Sequence, residues 1–168
     1  MSKRVVLTGA TGLIGKALCK KLIERGDTPV VITRDPVQAR GMTFIKEFVK
    51  RDYKDPKPIL KKLEGASAFV NLAGASVAER WSELYKLVIL NSRVQTTNAL
   101  IHAISLLEEK PKVLISSSAT GFYGNTGDEE FDETGVKGEG FLADVCDAWE
   151  KTALQAEGHG VPVSIVRT

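Results

Sequence analysis

Sulfur and imidazole are scarce in this chain: among 168 residues there are two cysteines, Cys19 and Cys146, and two histidines, His102 and His159. The cysteines lie far apart, form no C-x-x-C pair and have no histidine near them, so neither a disulfide scaffold nor a zinc site is indicated. A reducing, cytoplasmic compartment is therefore expected. Neither sign of charge dominates: 23 Lys+Arg against 21 Asp+Glu leaves a net charge of +2. With no basic face for a phosphate backbone, nucleic acid is not expected as a partner. No apolar run approaches the ~18 residues of a membrane span, so no membrane partner is expected either. In the opening MSKRVVLTGATGLIG the apolar stretch is broken by Thr8, Gly9, Thr11 and Gly12 and carries no cleavage signature, unlike a signal peptide. Internal repeats and low-complexity stretches are also lacking. What remains is 43% hydrophobic and 26% charged with 15 Gly and 6 Pro, the composition of one ordinary globular domain.

Apolar periodicity orders that domain. A short run at 5–8 breaks into glycines, after which Leu13, Ile14, Ala17, Leu18, Leu22 and Ile23 recur at helical spacing until Gly26. Further strands are expected at 30–33, more weakly at 43–49, and at 68–72, with room at 56–63 for a short helix only. Residues 79–109 follow a helical pattern, with a bend allowed near Asn91-Ser92. An apolar strand at 112–116, a Gly-rich loop, a helix over 140–158 and a sixth strand at 162–167 complete the chain. Strands alternating with helices at these spacings predict a doubly wound α/β domain: a mainly parallel six-stranded sheet with helices on both faces.

The most informative segment is the first strand-to-helix turn, where Gly9, Gly12 and Gly15 form G-x-x-G-x-x-G. Gly9 can adopt a backbone conformation that a side chain would penalise, Gly12 lets the main chain approach a pyrophosphate, and Gly15 lets the helix press on the sheet. The amides opening the helix then face the phosphates, which makes Gly9, Thr11, Gly12, Leu13, Ile14 and Gly15 candidate dinucleotide-binding residues. A nucleoside-triphosphate loop fits less well, because Ala10 stands in place of its first glycine and Ala17 in place of its magnesium-binding hydroxyl. A tight turn with no ligand is the competing reading.

Cofactor choice rests on the end of the second strand. An acid about 20 residues beyond the turn would bind the ribose 2′-hydroxyl of NAD. Thr33 and Arg34 occupy that place, and a guanidinium suits a 2′-phosphate, which favours NADP(H) over NAD(H). Asp35, one position on, would reverse the preference if the register were shifted.

Three landmarks, TGATGLIG at 8–15, Asn71-Leu72-Ala73-Gly74, and Ser116 to Thr120, resemble the extended short-chain dehydrogenase/reductase superfamily in order and context. More narrowly, TRDP at 33–36, VNLAGASVAERW at 70–81, NSRVQTT at 91–97, SSSATGFYG at 116–124 and GEGFLADVCDAWE at 138–150 resemble its atypical nucleoside-diphosphate-sugar epimerase, or SulA-like, family. The resemblance covers essentially all of residues 1–168 and implies a Rossmann fold. It further implies that Leu72, Ala73 and Gly74, with Asn71, pass under the nicotinamide-side ribose, that Asp52 lies near the adenine, and that the loop from Ser116 faces the nicotinamide. Usual members carry a further C-terminal portion that closes the substrate cleft, so this chain is expected to be the N-terminal NADP-binding portion of such a protein.

Most of the superfamily sets a Tyr and a Lys four residues apart on one helix, the ammonium lowering the phenol's pKa for proton transfer. Here Phe141 pairs with Val145, or Leu142 with Cys146, and neither choice supplies a phenol or a cation. Phe141, Val145 and Trp149 instead have the i, i+4, i+8 spacing of an apolar helix face. By resemblance, Ser118 and Thr120 match hydroxyls that bind a substrate's reacting oxygen, and Tyr123 is the nearby phenol that could donate a proton, although without a lysine. His102 and His159 are expected to be structural or solvated. Two functions stay open: an epimerase or oxidoreductase acting on a small molecule of nucleotide-sugar type, or a non-catalytic NADP(H)-binding regulator or redox sensor linked to cell division. A homodimer is allowed.

Overall fold

The computed structural model describes residues 2–168 apart from Arg40, residues 51–54, Thr126, Asp128 and Glu129. In chain order the strands are β1 (Arg4–Thr8), β2 (Thr28–Thr33), β3 (Glu47–Lys50), β4 (Ala68–Asn71), β5 (Leu114–Ser118) and β6 (Val163–Arg167). The helices are α1 (Leu13–Glu24), α2 (Pro36–Ala39), α3 (Lys57–Leu63), α4 (Glu83–Leu106) and α5 (Phe141–Leu154), with 3-10 turns at Thr120–Tyr123 and Gln155–His159. All strand pairs are parallel, in the order β3-β2-β1-β4-β5-β6.

Alternating side chains of the buried strands feed two apolar layers. Val6, Val30, Ile32, Val49, Phe69 and Leu114 meet Leu63 of α3 and Leu100, Ile101 and Ile104 of α4 on one face. Val5, Leu7, Val31 and Val70 meet Cys19 and Leu22 of α1, together with Met42 and Ile45, on the other. Continuous apolar strands such as VVL and VVI are what a sheet covered on both faces requires. The chain winds outward from β1 through β2 to β3, then returns to the opposite side of β1 as β4. Connections therefore leave β1 and β4 in different directions, and a crevice opens between their carboxyl ends.

That split is held by polar groups with no solvent to satisfy them. Asn71 is fully buried, and its side-chain oxygen accepts from the Thr8 hydroxyl at 2.6 Å. Its amide nitrogen donates to Thr97 Oγ1 at 2.8 Å and, more weakly, to Ser116 Oγ at 3.4 Å. The indole of Trp149 donates to the same Thr97 oxygen at 3.1 Å, which ties α5 to α4. Val145 and Trp149 lie in the core as their spacing indicates, whereas Phe141 is half-buried and meets Trp81 edge-on at 5.4 Å.

Several boundaries differ from the sequence reading. α4 begins at Glu83 because the Ser82 hydroxyl accepts from the Tyr85 amide at 3.1 Å and caps it. β5 extends to Ser118, paired through Ser116↔Ile165, Ser117↔Val166 and Ser118↔Arg167, so Ser116 lies in a strand and the loop starts at Ala119. β3 is confined to Glu47–Lys50, and α5 gives way to a 3-10 turn after Leu154. α2 was not expected; Asp35 Oδ1 accepts from the Val37 amide at 2.8 Å and Pro36 opens the turn.

Asn71→Ala removes the shared partner of Thr8 and Thr97 in a dry environment and should destabilise the fold by about 2 to 3 kcal/mol in urea unfolding. A loss below about 0.5 kcal/mol would show that this network does not hold the split together.

Candidate functional site

Each glycine of the first turn meets a different steric demand. Gly9 has a φ of +69°, and a Cβ there would lie 2.5 Å from the carbonyl carbon and oxygen of Leu72 and 2.7 Å from the Ala73 nitrogen. A side chain at Gly15 would lie 2.5 Å from Ala10 Cα and 2.6 Å from the Gly9 oxygen. Gly15 therefore lets α1 press on the turn that follows β1. Gly12 is different: it is extended, with φ −75° and ψ 175°, and a Cβ there would find only the Gly9 oxygen, at 3.3 Å.

The start of α1 offers unused donors. The Gly12 amide donates to the Gly9 carbonyl at 3.1 Å, and the first helical bond runs from Lys16 to Gly12 at 3.0 Å. Between them, the amides of Leu13, Ile14 and Gly15 have no acceptor among the described residues, no side chain caps the helix, and no acid stands in its first turn. Leu13 is 89% exposed and Ile14 54%, so these positions can contribute amides where their side chains contribute no packing. The amides and the helix dipole together favour an anion.

Just ahead of these amides lies a crevice of about 440 Å³ lined by residues 8–12, 32–34 and 72–76 and by Val88, Ser92 and Thr96 of α4; Leu13, Ile14 and Gly15 follow its Gly12 edge without lining it. Gly9, Thr11, Gly12, Thr33, Arg34, Leu72, Ala73 and Gly74 thus come together in one place. Arg34 is exposed at the β2 end, and the lining includes no carboxylate among the described residues. Asp35 lies outside it, its carboxylate engaged by the Val37 amide and its own amide donating to Thr33 Oγ1 at 3.3 Å. Uncapped amides and a glycine floor suit the diphosphate of a nucleotide cofactor. Asp52 falls outside the described residues.

Ser116, a cofactor-binding candidate, and the catalytic candidates Ser118, Thr120 and Tyr123 all lie beyond this lining. Ser116 is buried, with its hydroxyl against Asn71 and the Ser117 carbonyl. Ser118, also buried, donates to Glu150 Oε1 at 2.5 Å. Glu150 on α5 is gripped by both edges of the Arg167 guanidinium, Nε to Oε1 at 2.9 Å and Nη2 to Oε2 at 2.8 Å. Arg167 Nη1 also donates to the Tyr123 hydroxyl at 2.8 Å, and that hydroxyl donates to the Asp132 carbonyl at 2.8 Å. Hydrogen bonding to Glu150 outweighs desolvation and pushes the Arg167 pKa up. The face of Phe122 lies 3.7 Å from the same guanidinium carbon. Thr120 is exposed and borders a shallow depression with Gly121, Tyr123, Gly124 and Phe131. Cys146 adjoins Ser118, and burial pushes its thiol pKa up, only partly offset by a hydrogen bond with that hydroxyl.

Sequence reasoning passed over Glu150, Arg167, Ser92 and Thr96. Glu150 carried a signal, an acid directly after Trp149 in a helix whose neighbouring positions are buried; its partner becomes visible only when α5 is packed on β6. His102 and His159 are both exposed. No helix is long and apolar enough to cross a membrane, and no group of three or more His, Cys, Asp or Glu could hold a metal, among the described residues.

Comparison with known proteins places this geometry. The NAD dependent epimerase/dehydratase family matches residues 5–140. The chloroplastic epimerase family protein SDR39U1 homolog of Arabidopsis thaliana is 36% identical over 165 residues, which are 97% of this chain and 47% of that protein. The crystal structure of human epimerase family protein SDR39U1 with NADPH has a TM-score of 0.81 at 27% identity, over 98% of this chain and 52% of that one. The nucleoside-diphosphate sugar epimerase from Corynebacterium glutamicum has a TM-score of 0.75 at 31% identity, over 99% and 34% of the two chains. The chain spans about half the length of the curated relatives it matches.

The steric contrast within the turn is directly measurable. Gly9→Ala combines left-handed backbone strain with a main-chain clash and should lower unfolding stability by at least ~2 kcal/mol. Gly12→Ala should cost less than about 1 kcal/mol. Equal losses for the two variants would contradict the geometry of the turn.

Proposed function

This chain belongs to the NAD dependent epimerase/dehydratase family, and from that premise we propose that residues 1–168 form the NADP(H)-binding unit of a short-chain dehydrogenase/reductase-like protein. The observation that carries the proposal is the start of α1, where three amides without acceptors among the described residues follow the Gly12 edge of a crevice that Arg34 borders and that no acid lines among those residues. In this reading the amides of Leu13, Ile14 and Gly15 hold the diphosphate, Gly9 and Gly12 keep the floor clear, Thr33 and Arg34 take the adenosine 2′-phosphate, and Leu72, Ala73 and Gly74 form the opposite wall. The Asp35 carboxylate accepts from the Val37 amide and is not among the crevice-lining residues, whereas Arg34 is. The human SDR39U1 structure, which contains NADPH, supports the same cofactor. The substrate side would be completed by a further portion such as the longer relatives have room for.

The reaction we propose is epimerisation or oxidoreduction at a hydroxyl-bearing or carbonyl carbon of a nucleotide-sugar type of substrate. When bound, the nicotinamide supplies the hydride donor or acceptor. Ser118, buried with its proton directed to Glu150, must exchange that bond to reach a substrate oxygen, and exposed Thr120 lies two residues on. Tyr123 must exchange its bond to the Asp132 carbonyl before it can donate to a substrate.

That engagement, with Phe141, Leu142, Val145 and Cys146 at the helix positions where a phenol and a cation were sought, favours a second reading. In it the protein binds NADP(H) and reports its state to a partner without turnover. A panel of carbonyl compounds incubated with NADPH and the full-length protein separates the two readings. Turnover that Ser118→Ala abolishes supports the enzyme, and tight NADPH binding without turnover supports the regulator.

The cofactor assignment is tested on this chain by calorimetric titration. Arg34→Ala should weaken NADPH binding by about 2 to 3 kcal/mol and leave NADH almost unchanged. Equal loss for both would refute recognition of the 2′-phosphate by Arg34.

A further inference from the structure

Arg93 of α4 is a half-buried cation, and no carboxylate lies within ion-pair distance of it among the described residues. Its Nη1 donates to the Ile89 carbonyl at 3.1 Å and the Ala75 carbonyl at 3.2 Å. Nε and Nη2 have no protein acceptor among the described residues, and neither is a sealed, unsatisfied group. The guanidinium carbon lies 5.2 Å from the centroid of the Trp149 ring. Desolvation pushes the Arg93 pKa down, the signature of a charge held out of water without a counter-charge to repay it.

Its place explains Gly74. A Cβ at Gly74 would lie 2.9 Å from the Arg93 guanidinium carbon and 3.1 Å from each terminal nitrogen. Glycine at this position therefore lets the cation lie flat against the crevice wall. Ser92, its neighbour, accepts from the Ala75 amide at 2.9 Å, so consecutive residues of α4 fix the same wall segment.

Strand order sets what passes this wall. Arg34 stands at the end of β2, the open amides follow β1, and the wall of residues 72–76 follows β4, with Ser118 at the end of β5. A dinucleotide whose adenosine end is at Arg34 and whose diphosphate is at α1 must carry its other nucleoside across Gly74 toward β5. We propose that the free edge of the Arg93 guanidinium binds ribose hydroxyl oxygens of that second, nicotinamide-bearing nucleoside and so fixes its position beside Ser118. This inference rests on the dinucleotide reading above and goes beyond it by assigning a cation from α4 to the nicotinamide half. Arg93 is thus a binding residue for one half of the ligand and is indifferent to the other.

Calorimetric titration of the wild-type chain, Arg93→Gln and Arg93→Lys with NADPH and with adenosine 2′,5′-bisphosphate, which lacks the nicotinamide nucleoside, tests this directly. Arg93→Gln should bind NADPH about tenfold more weakly, the loss expected for one charge-assisted contact, with the bisphosphate changed by less than about twofold. Arg93→Lys should recover part of the NADPH affinity, and it serves as the reporter if thermal melting shows Arg93→Gln to be unfolded. Unchanged NADPH affinity would overturn the proposal. So would equal losses for both ligands, which would mean that the variant had damaged the wall as a whole. A wild-type chain that binds the bisphosphate as tightly as NADPH would overturn the role of Arg93 while leaving the adenosine-side reading standing; one that binds neither would overturn both.

Discussion

Where β1 and β4 separate, the Thr8 hydroxyl donates to the Asn71 side chain, and the opposite end of that amide donates to Thr97 on α4. This interaction sets the spacing of the crevice. One strand end leads into α1 and the other into the wall at residues 72–76, and they approach so closely that Gly9 has no room for a Cβ against the Leu72 carbonyl. Because Asn71 is fully buried, its polar atoms cannot exchange partners with water, and the arrangement is held by the cost of leaving them unmatched. Thr97 also receives the Trp149 indole, so α5, which carries Glu150, is registered against the same point.

Two polar regions of different character depend on this frame. The first is the crevice that Arg34 borders, with three amides at the start of α1 that have no acceptor among the described residues and no carboxylate among its described lining. The second is internally satisfied, with Ser118, Glu150, Arg167, Tyr123 and the Asp132 carbonyl forming one chain of hydrogen bonds. Removing either member of the Glu150–Arg167 pair would strand a charge in a dry environment. The hydroxyls of Ser118 and Tyr123 are thus tied into the scaffold.

How much of this was legible in the sequence varied with the range of the interaction. The alternation of six strands with helices and the turn at Gly9, Gly12 and Gly15 follow from short-range apolar periodicity and from steric demands within a few residues, and both are found in the structure. Gly15 differs in detail, since its close neighbour is the Ala10 backbone in the turn itself. Ser116 and Ser118 could not be placed correctly because β5 is prolonged by pairing with β6, some fifty residues away, and serines alone do not announce a strand. Arg93 and Glu150 escaped for a related reason. A charged residue on a helix is ordinarily solvated, and what makes these two significant is the packing of α4 against Gly74 and of α5 against Arg167. Asp35, an ambiguous acid in the sequence, accepts from the Val37 amide two residues on and is not among the crevice-lining residues.

The central claim is that the main-chain amides opening α1 grip a diphosphate, and amide-resolved NMR during titration with NADPH addresses it most directly. The account predicts that the amide resonances of Gly12, Leu13, Ile14 and Gly15 move together and saturate at one equivalent of nucleotide, ahead of any change on α3. If those four signals stayed still at millimolar NADPH while the protein remained folded, the crevice would not be a diphosphate site and the functional account would be wrong.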